Sequence, residues 1–247
     1  MPFPDTLMPM VTKLQMWTRL DDADRDAVLA LPHRLRALRA HEFIVRDGDE
    51  PRHSCLILSG YAIRHKLTGS GGRQIMSIHM KGDIVDLQNS LLRSADHNVQ
   101  TLNDVEAAFI PIAAIEEIAV GRPNLGKAMW NETLVDGAIF REWTLNIGRR
   151  DARTRMGHML CEFALRLETV GLGEQCQYEL PMTQEQLADA LGLTSVHVNR
   201  TLKALAAEGL IERTNRSVRI PDWKKLAEIA DFDSRYLHLD QRLPAAT

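Results

Sequence analysis

Between Ser195 and Lys203, the sequence places hydrogen-bonding, basic and small apolar side chains on one face of a predicted helix. With about 3.6 residues per turn, Val198, Leu202 and Leu205 share the inner face, so the residues opposite them point outward. The outer face comprises Ser195, Val196, Asn199, Arg200 and Lys203, with His197 at its margin. An arginine can bind guanine, an asparagine can pair with adenine, and an apolar side chain can contact the methyl group of thymine. This face therefore has the chemistry needed to read base edges in duplex DNA.

A short helix and a glycine turn are predicted to hold this face in position. Thr183 and Gln186 fit a capping box, in which each side chain closes a free backbone amide at the start of a helix. The turn Leu191–Leu193 contains Gly192, and Thr194 is placed to cap the second helix, which is predicted over Ser195–Leu205. Two short helices joined by such a turn form a helix-turn-helix, whose second helix enters the major groove.

The residues after the second helix predict a basic hairpin beside it. Gly209 ends the helix, and the stretch 213–220 reads as two short strands with arginines at the turn. From Thr194 to Arg219 the chain has five basic and two acidic residues, and neither acid precedes Glu208. We therefore expect DNA contacts from Thr183, Ser195, Val196, His197, Asn199, Arg200, Lys203, Arg213 and Arg216.

Composition alone does not reveal this site. The 247 residues include 30 basic and 33 acidic side chains, which gives a formal net charge of −3. Residues 1–150, with 18 basic and 19 acidic side chains, are not basic, and neither are residues 151–247, with 12 and 14. Three isolated cysteines, no apolar stretch of membrane-spanning length and no secretion signal favour a cytoplasmic protein without a disulfide framework, a metal site or a membrane anchor. No nucleophile–base pair is recognisable, so no catalytic residue is expected.

The first half of the chain predicts a compact all-β unit. A helix capped by Asp21 comes first. Short apolar stretches such as Ser54–Leu58 and Tyr61–Leu67 then alternate with glycine turns, which is typical of a barrel or a sandwich.

A long helix is predicted after this unit. No proline interrupts Leu125–Ile147, and apolar side chains form one wide stripe along it. The stripe can pack on the β-unit alone, but its width favours an additional contact with the same helix of a second copy. Gly148 is expected to end the helix, and Asp151 to cap the next one. The arginines within residues 148–155 either contact phosphates or form a solvated face.

The order of these elements resembles the Crp/Fnr family of transcription regulators over about residues 20–220. The resemblance is carried by Ser59-Gly60, Lys81-Gly82-Asp83-Ile84 and the segments 148–155 and 183–200. It implies an α+β protein with an N-terminal jelly-roll or β-roll sensor domain of the cyclic-nucleotide-binding type (1–122), a long dimerisation helix (123–148) and a C-terminal winged helix-turn-helix (149–247). Family members usually have an acid, most often Glu, where this chain has Val196, so a different target sequence is expected.

The resemblance implies a homodimeric, sequence-specific DNA-binding transcription regulator that is not an enzyme. Its expected partners are double-stranded DNA, a second copy of the chain, RNA polymerase and a small-molecule effector of unknown identity, with no membrane. Two other functions stay open at this stage. One is a ligand-binding or adaptor protein whose winged helix no longer binds DNA, and the other is a small β-barrel enzyme.

The sensor half does not identify its ligand or cofactor. In cyclic-nucleotide-binding relatives a Gly-Glu pair opens a loop whose later Arg-Ser/Thr pair holds the phosphate, and here Gly82-Asp83 opens that loop. The phosphate positions fall near Ala95–Asn98 rather than on an arginine, although a shifted loop would present Arg93. The expected effector pocket comprises Gly82, Asp83, Arg93, His97 and Asn98. Haem stays an alternative because several histidines lie in the β-unit.

Overall fold

The computed structural model describes residues 6–214 and 216–239, which form two compact units. Of these residues, the first unit contains 6–66, Ser77–Ala138 and 237–239, and the second contains Leu67–Met76 and 139–236. Among the described residues, no helix has the length and hydropathy of a membrane span.

Two short helices and eight strands form a β-roll. The helices are α1 (Met8–Gln15) and α2 (Asp22–Leu29). Asp21 caps α2 as predicted, because its carboxylate accepts a hydrogen bond from the Asp24 amide at 2.7 Å. The strands are β1 (Arg34–Leu38), β2 (Phe43–Val45), β3 (His53–Ser59), β4 (Ala62–Leu67), β5 (Arg73–His79), β6 (Ile84–Val85), β7 (Asn98–Thr101) and β8 (Val105–Pro111).

The strands form two four-stranded sheets with an apolar core. The strand orders are β1-β8-β3-β6 and β2-β7-β4-β5, and β3 pairs antiparallel with both of its neighbours. Both faces of β3 are buried. Cys55 and Ile57 belong to one apolar cluster with residues of β6, β7 and β8, whereas Leu56 belongs to another that includes α1 and α2. The predicted all-β unit is therefore confirmed.

The turn after β3 requires a glycine. Gly60 has φ +78°, and a β-carbon there would lie 2.3 Å from the backbone oxygen of Asp104. A residue with a side chain would have to displace this backbone, so the glycine of the Ser59-Gly60 pair is required for steric reasons.

Three helices follow β8: α3 (Ile112–Gly121), α4 (Pro123–Arg149) and α5 (Ala152–Thr169). The prediction that Gly148 ends the long helix is wrong, because α4 continues to Arg149. A glycine in a helix costs about 1 kcal/mol, which the packing of the neighbouring turns outweighs. The predicted cap of α5 is confirmed, since the Asp151 carboxylate accepts from the amides of Arg153 and Thr154, both at 2.9 Å.

The rest of the second unit is a small sheet with helices around it. Its strands are β9 (Gly173–Glu174), β10 (Gln177–Glu179), β11 (Glu212–Thr214) and β12 (Ser217–Arg219), in the order β11-β12-β10-β9. Its other elements are α6 (Gln184–Leu191), α7 (Ser195–Ala207), α8 (Trp223–Ile229) and a 3-10 turn (Ser234–Leu237).

A group of charged side chains, which we call the Asp86 cluster, lies within the first unit. Asp86 is buried, and its Oδ1 lies 3.0 Å from both Arg64 Nη2 and His97 Nε2. Arg64 also pairs with Asp136 on α4 at 2.6 Å, and His97 Nδ1 lies 2.7 Å from Asp96. These five residues link β4, the loops around β6 and β7, and the long helix.

The cluster shifts the pKa values of its two central groups. Burial by itself would raise the pKa of Asp86, but the hydrogen bond with His97 and the charge of Arg64 lower it to about 2. Burial would lower the pKa of His97, but the hydrogen bond and charge of Asp86 and the hydrogen bond with Asp96 raise it above its ordinary value. A protonated imidazole between two carboxylates is therefore the form that the fold favours.

The raised pKa of His97 predicts a pH-dependent contribution to stability. Because the folded chain holds the imidazole proton more tightly, the stabilisation is complete below the unfolded pKa of about 6.5 and is lost as the pH rises through the folded value. We expect His97→Gln to lower the free energy of unfolding more at about pH 5.5 than at about pH 9, as measured by urea denaturation. An equal loss at both pH values would contradict this, and His53→Gln, at an exposed histidine, is the control.

Candidate nucleic-acid interface

The helix-turn-helix consists of α6, α7 and the left-handed turn between them. At the start of α6, the Gln186 amide donates to Thr183 Oγ1 at 3.2 Å, and the Thr183 amide donates to Gln186 Oε1 at 2.8 Å. At its end, Gly192 has φ +62°, and the Leu193 amide donates to the Ala188 carbonyl at 3.0 Å. The predicted capping box and glycine turn are both confirmed.

One face of α7 is buried and holds the helix in place. Val198, Leu202 and Leu205 are buried, and α7 packs against α5 and α6. At its start, Thr194 Oγ1 accepts a hydrogen bond from the His197 amide at 3.2 Å. The predicted cap and inner face are confirmed, and the helix extends to Ala207, two residues beyond its predicted end.

The opposite face of α7 is accessible and forms an open concave surface of about 530 Å³. The side chain of Val196 is 77% exposed, and those of Ser195, Arg200 and Lys203 are exposed as well. His197 is half-buried at the margin, as predicted. The concave surface, which we call the reader surface, is lined by Gln184, Ser195, Val196, Asn199, Arg200 and Lys203.

Gln184 is a lining residue that the sequence-based prediction missed. It is the first residue of α6, and its side-chain amide can both donate and accept hydrogen bonds. Its position directly after the predicted cap Thr183 is the signal that could have identified it. Thr183 itself is exposed, with its hydroxyl already accepting the bond from Gln186.

The hairpin of β11 and β12 presents arginines next to the helix-turn-helix. Arg213 lies on β11 and Arg216 in the turn before β12, and both are exposed. Val218 on β12 is buried, and the Leu180 amide donates to the Arg216 carbonyl at 2.8 Å, which fixes the base of the turn. Asn215, between the two arginines, lies outside the described residues.

The two acids between Thr194 and Arg219 are paired. Glu208 forms an ion pair with Arg153, and Glu212 lies 2.8 Å from Arg219. Within the part of the chain that the structure describes, none of the four basic side chains expected to contact DNA forms an ion pair: Arg200, Lys203, Arg213 and Arg216. The positive charge of this region is therefore available to an anionic partner.

The arginines at the junction of α4 and α5 differ in their surroundings. Arg149 is exposed, as in a solvated face, whereas the other three make contacts within the chain. Arg153 is paired with Glu208, and the side chain of Arg150 is only 9% exposed. Arg155 Nη2 donates to the carbonyls of Ile147 at 2.8 Å and of Arg150 at 2.9 Å. These three arginines join parts of the second unit to one another.

The residues expected to form an effector pocket have dissimilar surroundings. Asp83 is buried, pairs with Lys13 at 2.8 Å and accepts from the Met80 amide at 2.9 Å. Gly82, His97 and Asn98 are buried, whereas Arg93 is exposed. Asn98 Oδ1 accepts from the Asp47 amide at 3.2 Å. Among the described residues there is no group of three or more His, Cys, Asp or Glu side chains that could hold a metal ion.

Two domain families match the chain. Residues 35–120 match the cyclic nucleotide-binding domain, and residues 154–229 match the Crp-like helix-turn-helix domain. The chain is 27% identical over 217 residues to the transcriptional activator protein FnrL of Cereibacter sphaeroides, covering 86% of this chain and 87% of the relative. It is 24% identical over 207 residues to the transcriptional activator protein anr of Pseudomonas aeruginosa, covering 84% of each.

Solved structures show the same fold. FixK2 from Bradyrhizobium japonicum superposes with a TM-score of 0.72 at 22% identity, covering 81% of this chain and 98% of that one. A mutant of CooA from Carboxydothermus hydrogenoformans superposes with a TM-score of 0.66 at 20% identity, covering 86% and 91%. The two matched domains and the similarity to transcriptional activators over most of the chain show that the chain belongs to the Crp/Fnr family of DNA-binding transcription regulators, with a sensor domain of the cyclic-nucleotide-binding type.

Proposed function

We propose that this regulator acts as a homodimer whose two α7 helices read successive major grooves of a near-palindromic site. The observation that carries the proposal is the reader surface: an acid-free face of a helix that is held from the opposite side. In a twofold dimer, two such helices would lie about 34 Å apart, one turn of B-DNA. A gel shift with the upstream region of its own gene tests the function, because an adaptor that no longer uses its winged helix would not bind.

Base reading is assigned to the centre of the reader surface. Arg200 can bind guanine O6 and N7 with two parallel hydrogen bonds, Asn199 can pair with adenine, and Val196 can contact a thymine methyl group. The phosphate backbone is assigned to Lys203, Arg213 and Arg216, together with Thr183, Ser195 and His197 at the edges.

Dimerisation is assigned to the exposed side of α4. The predicted apolar stripe divides into two faces, because Leu125, Met129 and Trp143 are buried within the chain while Leu134 is 56% exposed. At helical spacing, Trp130 and Leu145 lie on the same side as Leu134, and both are exposed. An apolar row of this kind on an otherwise polar surface is typical of a helix that packs against its own copy.

The remaining roles follow from the family and the site. The β-roll is proposed to bind a small-molecule effector of unknown identity, and RNA polymerase is the proposed protein partner of the DNA-bound dimer. We infer a cytoplasmic regulator without catalytic activity.

Replacing Arg200 separates base reading from general DNA affinity. We expect Arg200→Ala to weaken binding to the preferred site by about 1–3 kcal/mol and to relax the preference at one base pair per half-site. Arg216→Ala, which removes a phosphate contact, should weaken all sequences alike and reduce the salt slope by about 1. Fluorescence anisotropy with specific and random duplexes measures both. If Arg200→Ala lost the same affinity on random DNA, its base-reading role would be wrong.

Replacing Val196 tests whether this side chain sets the expected difference in target sequence from other family members. A glutamate at this position can accept a hydrogen bond from cytosine N4, so Val196→Glu should shift one position of each half-site towards a C·G pair. Selection from a randomised duplex library shows the shift as a change in the preferred sequence. Val196→Ala supplies no acceptor, so this matched control should show no gain for cytosine. An unchanged consensus in Val196→Glu would place this side chain away from the bases.

A charge on the exposed side of α4 tests the dimer. Burying two leucines at a twofold interface is worth about 3 kcal/mol or more, so Leu134→Asp should raise the dimer dissociation constant on the order of a hundredfold. Sedimentation equilibrium measures this constant. Leu35→Asp, at a similarly exposed leucine on β1, should leave it unchanged. A Leu134→Asp protein that dimerises like the wild type would contradict the assignment.

A further inference from the structure

The C-terminal residues Asp231–Tyr236, which we call the strap, contact the junction of α4 and α5. Asp231 receives two hydrogen bonds from Arg150, from Nε to its Oδ2 at 3.0 Å and from Nη2 to its carbonyl at 3.1 Å. The third guanidinium nitrogen of Arg150, Nη1, donates to Glu142 on α4 at 2.7 Å. One guanidinium thus links the last turns of α4, the junction and the strap.

A second polar centre joins the same three segments. Glu162 on α5 is fully buried and accepts hydrogen bonds from Trp143 on α4 at 2.9 Å and from the Tyr236 hydroxyl at 2.8 Å. Arg166 supplies its countercharge at 3.2 Å. A buried carboxylate is costly unless its partners are in place, so this arrangement strongly favours one geometry of α4, α5 and the strap.

Aromatic packing fills the space between the two polar centres. The ring of His158 on α5 stacks on Tyr236 at a centroid distance of 5.7 Å and meets Phe232 edge-on at 5.0 Å. Burial and the charge of Arg150 lower the pKa of His158 to about 3, so the imidazole is a neutral packing surface at neutral pH. Polar and aromatic contacts therefore hold the strap against the end of α4 and against α5.

The junction is in turn connected to the helix-turn-helix. Arg155 donates from Nη2 to the carbonyls of Ile147 and Arg150, at the end of α4, and from Nη1 to the carbonyl of Leu191, at the end of α6. A β-carbon on Gly192 would contact both Ile147 and Arg155. These contacts fix the orientation of the end of α4 relative to the turn before α7.

We propose that the strap is a positioning element for DNA binding, which fixes the angle between the end of α4 and the reader surface. Its residues follow the helix-turn-helix match, which ends at residue 229. The proposal rests on the proposed two-site reading by a homodimer. When the angle is fixed, binding of one half-site places the second reader at its groove, whereas a loose junction reduces its effective concentration there.

The test uses the full-length double variant Asp231→Asn/Tyr236→Phe. It nearly keeps the volume of both side chains but removes the negative charge that pairs with Arg150 and the hydroxyl that donates to Glu162. The matched control is Asp233→Asn, in the middle of the strap, whose carboxylate bonds to Arg235 in the same segment. If the double variant does not fold, Tyr236→Phe alone is measured in its place.

The readout is affinity for a duplex selected with the wild type, compared with a single half-site and with spacers one base pair longer or shorter. We expect about tenfold weaker binding to the full site, the equivalent of one or two hydrogen bonds, and less than a twofold change on the half-site. The penalty for a wrong spacer should shrink. Trypsin cleavage after Arg149 and Arg150 should become several-fold faster without DNA.

The outcomes separate the two proposals. Equal losses on full site and half-site would mean that the strap only stabilises the domain, and an unchanged spacer profile would overturn the positioning role as well. A double variant that matches Asp233→Asn in affinity and spacer profile would also overturn the positioning role. If the wild type itself bound full sites no better than half-sites, the two-site reading would fail, and the strap proposal would fail with it.

Discussion

The interface depends on one constraint: α7 has to be held firmly from one side while its other side stays free for DNA. Val198, Leu202 and Leu205 anchor it by burial, and the Thr194 hydroxyl closes its first turn. Because these anchors lie on the inside or at the end of the helix, they do not engage the donors of the outer face. In the proposed DNA complex, a helix fixed in this way meets base edges without first losing conformational freedom, which is how a small surface gains specificity.

The local distribution of charge explains how a chain with a net charge of −3 can bind DNA, which is a polyanion. Charges beyond about 8 Å are screened at physiological ionic strength, so the local distribution matters more than the sum. The two acids between Thr194 and Arg219, Glu208 and Glu212, are neutralised by Arg153 and Arg219. In the proposed mode of DNA binding, the small number of basic side chains around α7 keeps non-specific affinity modest, and specific binding relies on both half-sites.

Elements with a local side-chain signature could be predicted from the sequence, and elements without one could not. The capping box, the Gly192 turn and the caps Asp21 and Asp151 each depend on residues a few positions apart. Strand β1, in contrast, is exposed at four of its five residues and shows no alternation, and α1 has no side-chain cap. The contacts of Arg150 could not be predicted, because its partner Asp231 lies 81 residues away. Contacts of that range leave no spacing pattern in a single sequence.

The sequence of the long helix predicts an apolar stripe but does not show which of its side chains are buried within the chain and which are exposed. Several of its turns are anchored by polar groups: Asp136 pairs with Arg64, Trp143 bonds to Glu162, and Asn146 donates to the Arg155 carbonyl at 3.2 Å. A rotation of α4 about its axis would leave buried polar atoms without hydrogen-bond partners. These bonds therefore specify the rotation of the helix more sharply than apolar packing does. That rotation directs Leu134 outwards. The polar side of α4 therefore decides which apolar side chains stay exposed for the proposed dimer contact. Helical periodicity alone does not distinguish these side chains from the buried ones.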